Sequence, residues 1–245
     1  MTLDDPLPRS FDGLASRVDA TGFRSVAFTS ALAGEGVSTI ALGTALSLVA
    51  LRSEAVLLID ANWIQPSLTE DAQLASAPGL ADCLAGNTDA ASAIRPGSRS
   101  RPAFLPIGDR TAARPTLRSL ASLLTRDLAN YSTAIVDLPP VLAGESFVLS
   151  WAALVDQVLV VLREASTPLP QVREALGKLG NATNAQIVLN RTVPQSGSAT
   201  AALRAVRTWP TQRSRCSSRS RASESGPAPV SVWRDRSSRR SLPGR

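Results

Sequence analysis

The chain is 245 residues long and 44% hydrophobic, which is enough for one large domain with a tail. Its formal net charge of +6 is unevenly distributed, because residues 201–245 hold 11 arginines and only two acidic residues. The basic character therefore belongs to the C-terminal part. The chain has no histidine, and its two cysteines, Cys83 and Cys216, are far apart. This composition excludes histidine-containing zinc sites, CxxC motifs, and Ser-His-Asp or Cys-His catalysis.

No targeting or membrane-spanning segment is predicted. The N-terminal residues are acidic and contain prolines, and they lack the basic stretch followed by an apolar run that marks a secretory signal. The longest apolar run, residues 40–51, is too short to cross a bilayer. The sequence therefore predicts a cytoplasmic protein.

Short apolar runs alternate with helical patterns along most of the chain. After a flexible arm over residues 1–21, strands are predicted at residues 24–30, 55–60, 103–107, 133–137, 155–162 and 185–189, and helices at residues 37–52, 79–85, 116–129, 145–151 and 168–179. The polar segment 87–102 is predicted as a loop. This alternation indicates βαβ units, and so an α/β fold with a mostly parallel sheet covered by helices on both faces.

The apolar periodicity stops after residue 194. The folded domain is therefore predicted to span residues 22–194, and residues 195–245 are predicted to be a disordered tail rich in arginine and serine. The arginines, with Trp209 and Trp233, suit nucleic acid or an anionic membrane. A solvated tail, or out-of-frame translation of a GC-rich gene, explains the same composition. We favour these two interpretations over a nucleic-acid partner.

The stretch ALAGEGVST, residues 31–39, has the form of a phosphate-binding loop without its lysine. The pattern G-x4-G-K-[ST] works because backbone N–H groups wrap the phosphates, the lysine neutralises them and the hydroxyl ligates Mg²⁺. Ala31, Gly36, Val37 and Ser38 occupy the four defined positions, and two of the four match. The stretch follows a predicted strand ending at Ser30 and opens a helix, as an anion site requires. Taken alone, it is equally consistent with a glycine-rich turn and a helix cap.

Two further strands are predicted to end in an acidic residue. VLLID ends at Asp60, with Asn62 two residues later, and TAIVD ends at Asp137 and is followed by Leu-Pro-Pro. Because ligands of open α/β sheets lie at the carboxyl ends of the strands, these carboxylates and the hydroxyls near Ser30 are expected to share one crevice. Such oxygens suit a Mg-nucleotide. The alternative is that both acids only cap the ends of their strands.

Together these segments resemble the bacterial tyrosine kinases (BY-kinases) of capsule and exopolysaccharide biosynthesis, within the MinD/ParA group of deviant P-loop ATPases. AGEGVST at 33–39 is similar to that family's PGEGKST at five of seven positions, LLIDANWIQPSL at 57–68 to LLIDADLRRPSL, and YSTAIVDLPPVL at 131–142 to YDYVIIDTPPVL. The segments at 79–86, 104–108, 153–164 and 187–191 also resemble family segments. The order is the same throughout, and the resemblance covers residues 22–193.

The resemblance implies a three-layer P-loop NTPase-like fold that binds ATP or ADP with Mg²⁺. By the same resemblance, the cofactor-binding residues are Gly34, Glu35, Gly36, Val37, Ser38 and Thr39. Ser38, Asp60 and Asp137 would hold Mg²⁺ and its waters, and Asp60 and Asp137 would be the catalytic residues. The expected partners are a membrane polysaccharide chain-length or export protein, which would bring the chain to the inner membrane, and further copies of the chain.

The sequence departs from the family at the residues that carry charge. Val37 replaces the loop lysine, Asn62 replaces the second acid of the second motif, and Trp63 and Gln65 stand where the family often has basic side chains. The single tyrosine, Tyr131, leaves the chain without the C-terminal tyrosine cluster on which these kinases act. Because loss of one preorganised donor costs about 10²- to 10³-fold in rate, weak or absent kinase activity is expected.

Three hypotheses follow. The first is a degenerate, regulatory domain of polysaccharide biosynthesis that acts by docking on the membrane partner. The second is an active tyrosine kinase in which an arginine such as Arg52, or one from a neighbouring subunit, supplies the missing charge. Lys178, the only lysine, is not assigned this role, because it is interpreted as a solvated charge at the end of a helix. The third is a partitioning-type ATPase that binds DNA through its basic tail.

Overall fold

The computed structural model describes residues 6–52, 55–180 and 184–190, with side-chain positions from residue 11 onward. Six strands form one sheet, namely β1 (Ser25–Ser30), β2 (Val56–Asp60), β3 (Ala103–Leu105), β4 (Thr133–Asp137), β5 (Gln157–Arg163) and β6 (Ala185–Asn190). Their order is β3-β2-β4-β1-β5-β6, and every pairing is parallel. The predicted α/β fold and all six predicted strands are confirmed, with ends that differ by at most two residues.

Helices cover both faces of the sheet. They are α1 (Pro6–Thr21), α2 (Val37–Arg52), α3 (Ser67–Asp71), α4 (Leu80–Ala85), α5 (Ala90–Ala93), α6 (Leu117–Ser122), which continues into a π-helical turn (Leu123–Asp127), α7 (Val141–Ala152) and α8 (Leu169–Leu179). Apolar residues of α1, α2 and α3 form one core with the sheet, and those of α4 to α8 form the other. In the ranges that the structure describes, no helix is long and apolar enough to cross a membrane.

The N-terminal segment differs from the expectation of a flexible arm over residues 1–21. Residues 6–21 form α1, in which Phe11, Leu14, Ala15 and Val18 make an apolar stripe that packs on the α2 side of the sheet. Ala15 and Val18 are buried. The acids and prolines of this segment suggested a loose leader, but prolines are tolerated in the first turn of a helix, where they lie here. Residues 1–5 lie outside the described ranges.

Two short helices were not predicted. One is α3, and the other is α5, which interrupts the predicted loop 87–102. Asp89 caps α5 by accepting a hydrogen bond from the amide of Ser92 at 2.7 Å. Helices this short span little more than one turn, so they leave no periodic pattern in the sequence. The predicted tail, 195–245, lies outside the described residues, and so does the arginine-rich surface on which the DNA-binding hypothesis depends.

The contact between α1 and α2 gives a stability prediction. A Cβ atom on Gly43 of α2 would lie 2.3 Å from the ring of Phe11. Gly43→Ala should therefore lower the free energy of unfolding by about 1–2 kcal/mol through overpacking, although alanine is the better helix former. The control is Gly177→Ala in α8, where nothing lies within 4 Å of the added atom. It should raise stability by about 0.5–1 kcal/mol. Urea denaturation measures both, and a stabilised Gly43→Ala protein would contradict the packing of Phe11.

Candidate functional site

The segment with the phosphate-loop pattern connects the end of β1 to the start of α2. Gly34 and Gly36 adopt left-handed backbone conformations, with φ of +82° and +90°, which residues with a side chain rarely adopt. The amide of Ile40 donates to the carbonyl of Gly36 at 3.0 Å, so helical hydrogen bonding begins directly after the loop. The first N–H groups of a helix have no intrahelical acceptor, and this arrangement suits an anion.

A cleft of about 280 Å³ lies beside the loop. All six predicted cofactor-binding residues line it, namely Gly34, Glu35, Gly36, Val37, Ser38 and Thr39, together with Asn62, Ile64, Gln65, Ser67, Leu138 and Pro140. Asn62 follows β2 and Leu138 follows β4, so the loop and both acid-ended strands meet at one edge of the sheet. A larger cavity of about 610 Å³, near Thr69 and Arg110, contains none of the predicted site residues.

Val37 stands where the phosphate-loop pattern has lysine. Its side chain is only 9% exposed and belongs to the apolar core on the α2 face of the sheet. An apolar side chain cannot neutralise phosphate charge. The loop therefore keeps the shape of an anion site and lacks the cation that usually completes it.

Arg52, considered as a substitute for the loop lysine, and Lys178, the only lysine of the sequence, both have partners elsewhere. Arg52 is the last residue of α2, roughly 22 Å from the loop at the helical rise per residue. It donates to the carboxylate and carbonyl of Asp19 and to the hydroxyl of Thr133. Lys178 on α8 pairs with Glu145 at 2.5 Å, and this hydrogen bond and charge raise the pKa of Lys178. The hypothesis that Arg52 replaces the loop lysine is therefore wrong.

Asp60, the last residue of β2, is fully buried and hydrogen-bonded. One carboxylate oxygen accepts from the amide and hydroxyl of Thr69, both at 2.8 Å, and the other accepts from the amide of Asn62 at 3.1 Å. Burial raises the pKa of Asp60 to about 6, although the hydrogen bonds from Thr69 and Asn62 oppose the shift. Asp60 thus anchors α3 to the sheet as well as standing at the site.

Asp137 lies opposite Asp60 in the register of β2 and β4 and has a different environment. It is fully buried, and neither carboxylate oxygen has a hydrogen-bond partner among the described residues. The pKa of Asp137 is raised well above its usual range. Burial is the larger cause, and the negative charge of Asp60 is the smaller one. The Ser38 hydroxyl is near enough to oppose that shift, but it does not reach hydrogen-bond geometry. An unpartnered buried carboxylate is costly unless a proton or a cation neutralises it.

The oxygen donors around Asp137 suit Mg²⁺. The hydroxyl of Ser67, the first residue of α3, donates to the hydroxyl of Ser38 at 3.0 Å. Mg²⁺ prefers one or two carboxylates, hydroxyls, waters and substrate phosphates over a cage of protein side chains. In keeping with this, the described residues contain no group of three His, Cys, Asp or Glu side chains that could hold a metal alone. Ser67 and Thr69 were not predicted as site residues. The sequence feature that could have identified them is the pair of hydroxyl side chains that follows Pro66 in the second motif.

The loop after β2 is shaped by Asn62 and by an arginine from a distant segment. The side-chain oxygen of Asn62 accepts from the amides of Ile64 at 3.2 Å and Gln65 at 2.9 Å, so this residue forms a turn. Trp63 stacks on Phe147 with ring centroids 5.8 Å apart. Arg110 donates to the carbonyl of Trp63 at 2.9 Å and to that of Ile64 at 3.1 Å. The guanidinium of Arg110 therefore lies against the segment in which Trp63 and Gln65 stand where the family often has basic side chains.

Tyr131 lies at the opposite end of the sheet. It precedes the first residue of β4, whereas the phosphate loop and Asp137 are at the carboxyl ends of the strands. The side chain is partly buried, and this burial raises the pKa of its phenol. The only tyrosine of the chain is therefore remote from the cleft.

A transport protein and solved kinase domains are similar to this chain. No protein-family model matches it. The succinoglycan biosynthesis transport protein ExoP of Rhizobium meliloti (strain 1021) is 32% identical over 180 residues, which are 69% of this chain. The chain spans 22% of the length of ExoP.

Solved kinase domains share the fold. The kinase domain of VpsO is 30% identical, with a TM-score of 0.62, and the match covers 76% of this chain and 93% of that domain. The kinase domain of the Escherichia coli tyrosine kinase ETK is 22% identical, with a TM-score of 0.58 and coverage of 75% and 73%; at that identity it supports the fold alone. With the phosphate-loop shape and the two acid-ended strands at one crevice, these matches place the chain in the bacterial tyrosine kinase (BY-kinase) family of capsule and exopolysaccharide biosynthesis.

Proposed function

We propose that the chain is a regulatory, BY-kinase-like domain of exopolysaccharide biosynthesis that binds Mg-nucleotide weakly and transfers phosphate slowly or not at all. One observation carries the proposal: Val37, at the position of the loop lysine, is buried in the apolar core. Phosphoryl transfer depends on electrostatic stabilisation of the transferring group. A loop that lacks its cation should bind and activate a triphosphate poorly.

The residues that remain favour weak binding over none. The backbone of residues 34–39 keeps the anion-binding shape, and Ser38 and Asp137 would hold Mg²⁺ together with waters and phosphate oxygens. Asp60 would act beside them, although its oxygens already bind Thr69 and Asn62. When bound, the metal neutralises phosphate charge. It would also neutralise the buried carboxylate of Asp137, which has no partner among the described residues.

The proposed partner is a membrane protein of polysaccharide chain-length control or export. The match to ExoP supports this, because a domain similar to this chain makes up about a fifth of a protein named for succinoglycan transport. Contact with that partner would place the chain at the cytoplasmic face of the inner membrane.

Labelling with [γ-³²P]ATP and calorimetry with Mg-ATP test this function. We expect weak Mg-ATP binding, loss of that binding in Ser38→Ala, and no tyrosine phosphorylation of the chain or of the partner's cytoplasmic segment. The reason is that Val37 cannot stabilise the transferring phosphate and Tyr131 is remote from the cleft. Robust tyrosine phosphorylation by the unmodified chain would refute the inactive assignment.

An active kinase is the second candidate function, and the position of Arg110 favours it. Its guanidinium contacts the carbonyls of Trp63 and Ile64, beside the second motif. If the chain is active, Arg110→Gln should lower the rate of phosphorylation while Arg114→Gln, in the same segment, leaves it unchanged. Equal rates in both variants would remove Arg110 from consideration.

A further inference from the structure

Three side chains from separate elements meet at the phosphate loop. Glu35 belongs to the loop, Thr167 to the turn between β5 and α8, and Asn190 ends β6. The Glu35 side chain is 4% exposed; one carboxylate oxygen accepts from the amide of Ala31 at 3.2 Å and the other accepts from the Thr167 hydroxyl. The side-chain amide of Asn190 donates to the carbonyl of Glu35 at 2.9 Å. The loop is thus held through both the side chain and the main chain of Glu35.

Gly36 leaves room for the side chain of Asn190. A Cβ atom at this position would lie 2.5 Å from the side-chain nitrogen of Asn190, a separation that real Cβ atoms do not show. The φ of Gly36 is also +90°. The glycine is therefore needed for its backbone conformation and for the space that Asn190 occupies.

Thr167 and Asn190 are themselves well supported. The Thr167 hydroxyl accepts from the amide of Arg163 at 3.0 Å, and the turn that carries it contains Ala165 in a left-handed conformation, with φ of +56°. That conformation is unfavourable for a residue with a side chain and persists where the surroundings impose it. Asn190 pairs with Arg163 in the register of β5 and β6, and its carbonyl accepts from the amide of Glu164 at 3.0 Å. Both residues therefore project from fixed backbone.

We propose that Glu35, Thr167 and Asn190 form a clamp that holds the phosphate loop in its anion-binding conformation before any ligand arrives. They are positioning residues, since they act through the loop backbone. The meaning of the clamp for nucleotide binding rests on the proposed function. It implies that the loop is already ordered, and that its weakness as a nucleotide site comes from missing charge, above all at Val37, rather than from a disordered loop.

Hydrogen exchange of the ligand-free full chain tests the clamp without any nucleotide. Thr167→Val keeps the shape of the side chain and removes the hydroxyl, and Asn190→Ala removes the amide. Each should speed the exchange of the amides at residues 34–38 by about tenfold, the effect of losing one hydrogen bond to a charged or buried group, and leave residues 80–85 of α4 unchanged. Thr167→Ser, which keeps the donor, should behave as the unmodified chain. Unchanged exchange at 34–38, or equal acceleration in both segments, overturns the clamp.

A second measurement separates the clamp from the proposed function. In a chain carrying Val37→Lys, the affinity for Mg-ADP should fall about tenfold when Thr167→Val is added and should be retained with Thr167→Ser. Undiminished affinity in the Thr167→Val combination overturns the clamp. If Val37→Lys alone binds no Mg-ADP while the exchange result holds, the proposed nucleotide site fails and the clamp stands.

Discussion

Val37→Lys should raise the affinity of the chain for Mg-ATP by about tenfold to a hundredfold. In the proposed site, a lysine at this position would face the phosphates that the backbone of residues 34–39 would cradle, and a hydrogen bond to a charged group contributes about 1.5–3 kcal/mol. The long side chain can leave the core and place its ammonium in the cleft that Val37 lines. Calorimetric titration with Mg-ATP and Mg-ADP measures the change.

The matched control is Val37→Met, which lengthens the side chain without adding charge. It should bind Mg-ATP as weakly as the unmodified chain. A similar gain in both variants would show that size rather than charge limits binding, and no gain with lysine would contradict the proposal that charge is the missing element. In Val37→Lys, turnover should recover less than affinity, because Asn62 still stands in place of the second acidic residue of the second motif. Adding Asn62→Asp tests that step.

The strands and the acidic residues at their ends could be predicted because both depend on local sequence. Each buried parallel strand is a continuous apolar run, so β2 and β4 and their terminal Asp60 and Asp137 were recognisable, and parallel strands bring their carboxyl ends to one edge. The loop was recognisable from glycine spacing. These features need no knowledge of what packs against them.

What could not be predicted depends on contacts between distant residues. The stripe of α1 was masked by prolines and acids, and its burial against α2 is a tertiary effect. Glu35 was predicted to bind cofactor, but the hydrogen bond from Thr167, 132 positions later in the chain, to its side chain was not predicted. The predicted helix over residues 37–52 already put Arg52 at its end, but the sequence could not show that the guanidinium donates to Asp19 and Thr133. No periodic pattern records such pairings, because they arise only when the sheet order is known.

The ligand-free chain should become more stable as the pH falls from about 7.5 to about 5.5. Burial raises the pKa of Asp60 to about 6, and it raises that of Asp137 well above its usual range, whereas both titrate near 3.9 in an unfolded chain. A raised carboxyl pKa means that the folded state binds the proton more tightly. The stabilisation is therefore complete below the unfolded pKa and is lost as the pH rises through about 6. For Asp60 alone it is on the order of 3 kcal/mol.

Asp137→Asn distinguishes this origin from a general effect of acid. Removing the unpartnered buried charge should raise the free energy of unfolding at about pH 7.5 by about 1–3 kcal/mol and flatten its dependence on pH, as measured by urea denaturation. Asp109→Asn is the control, because hydrogen bonds from Thr111 lower the pKa of Asp109 and its titration falls below this range. Stability that rises with pH, or an undiminished slope in Asp137→Asn, would show that the buried pair is not the origin. Asp137→Asn should also lose Mg-nucleotide binding. Asp137 would then destabilise the ligand-free domain and contribute to ligand binding, as expected of a residue that functions in binding rather than in stabilising the fold.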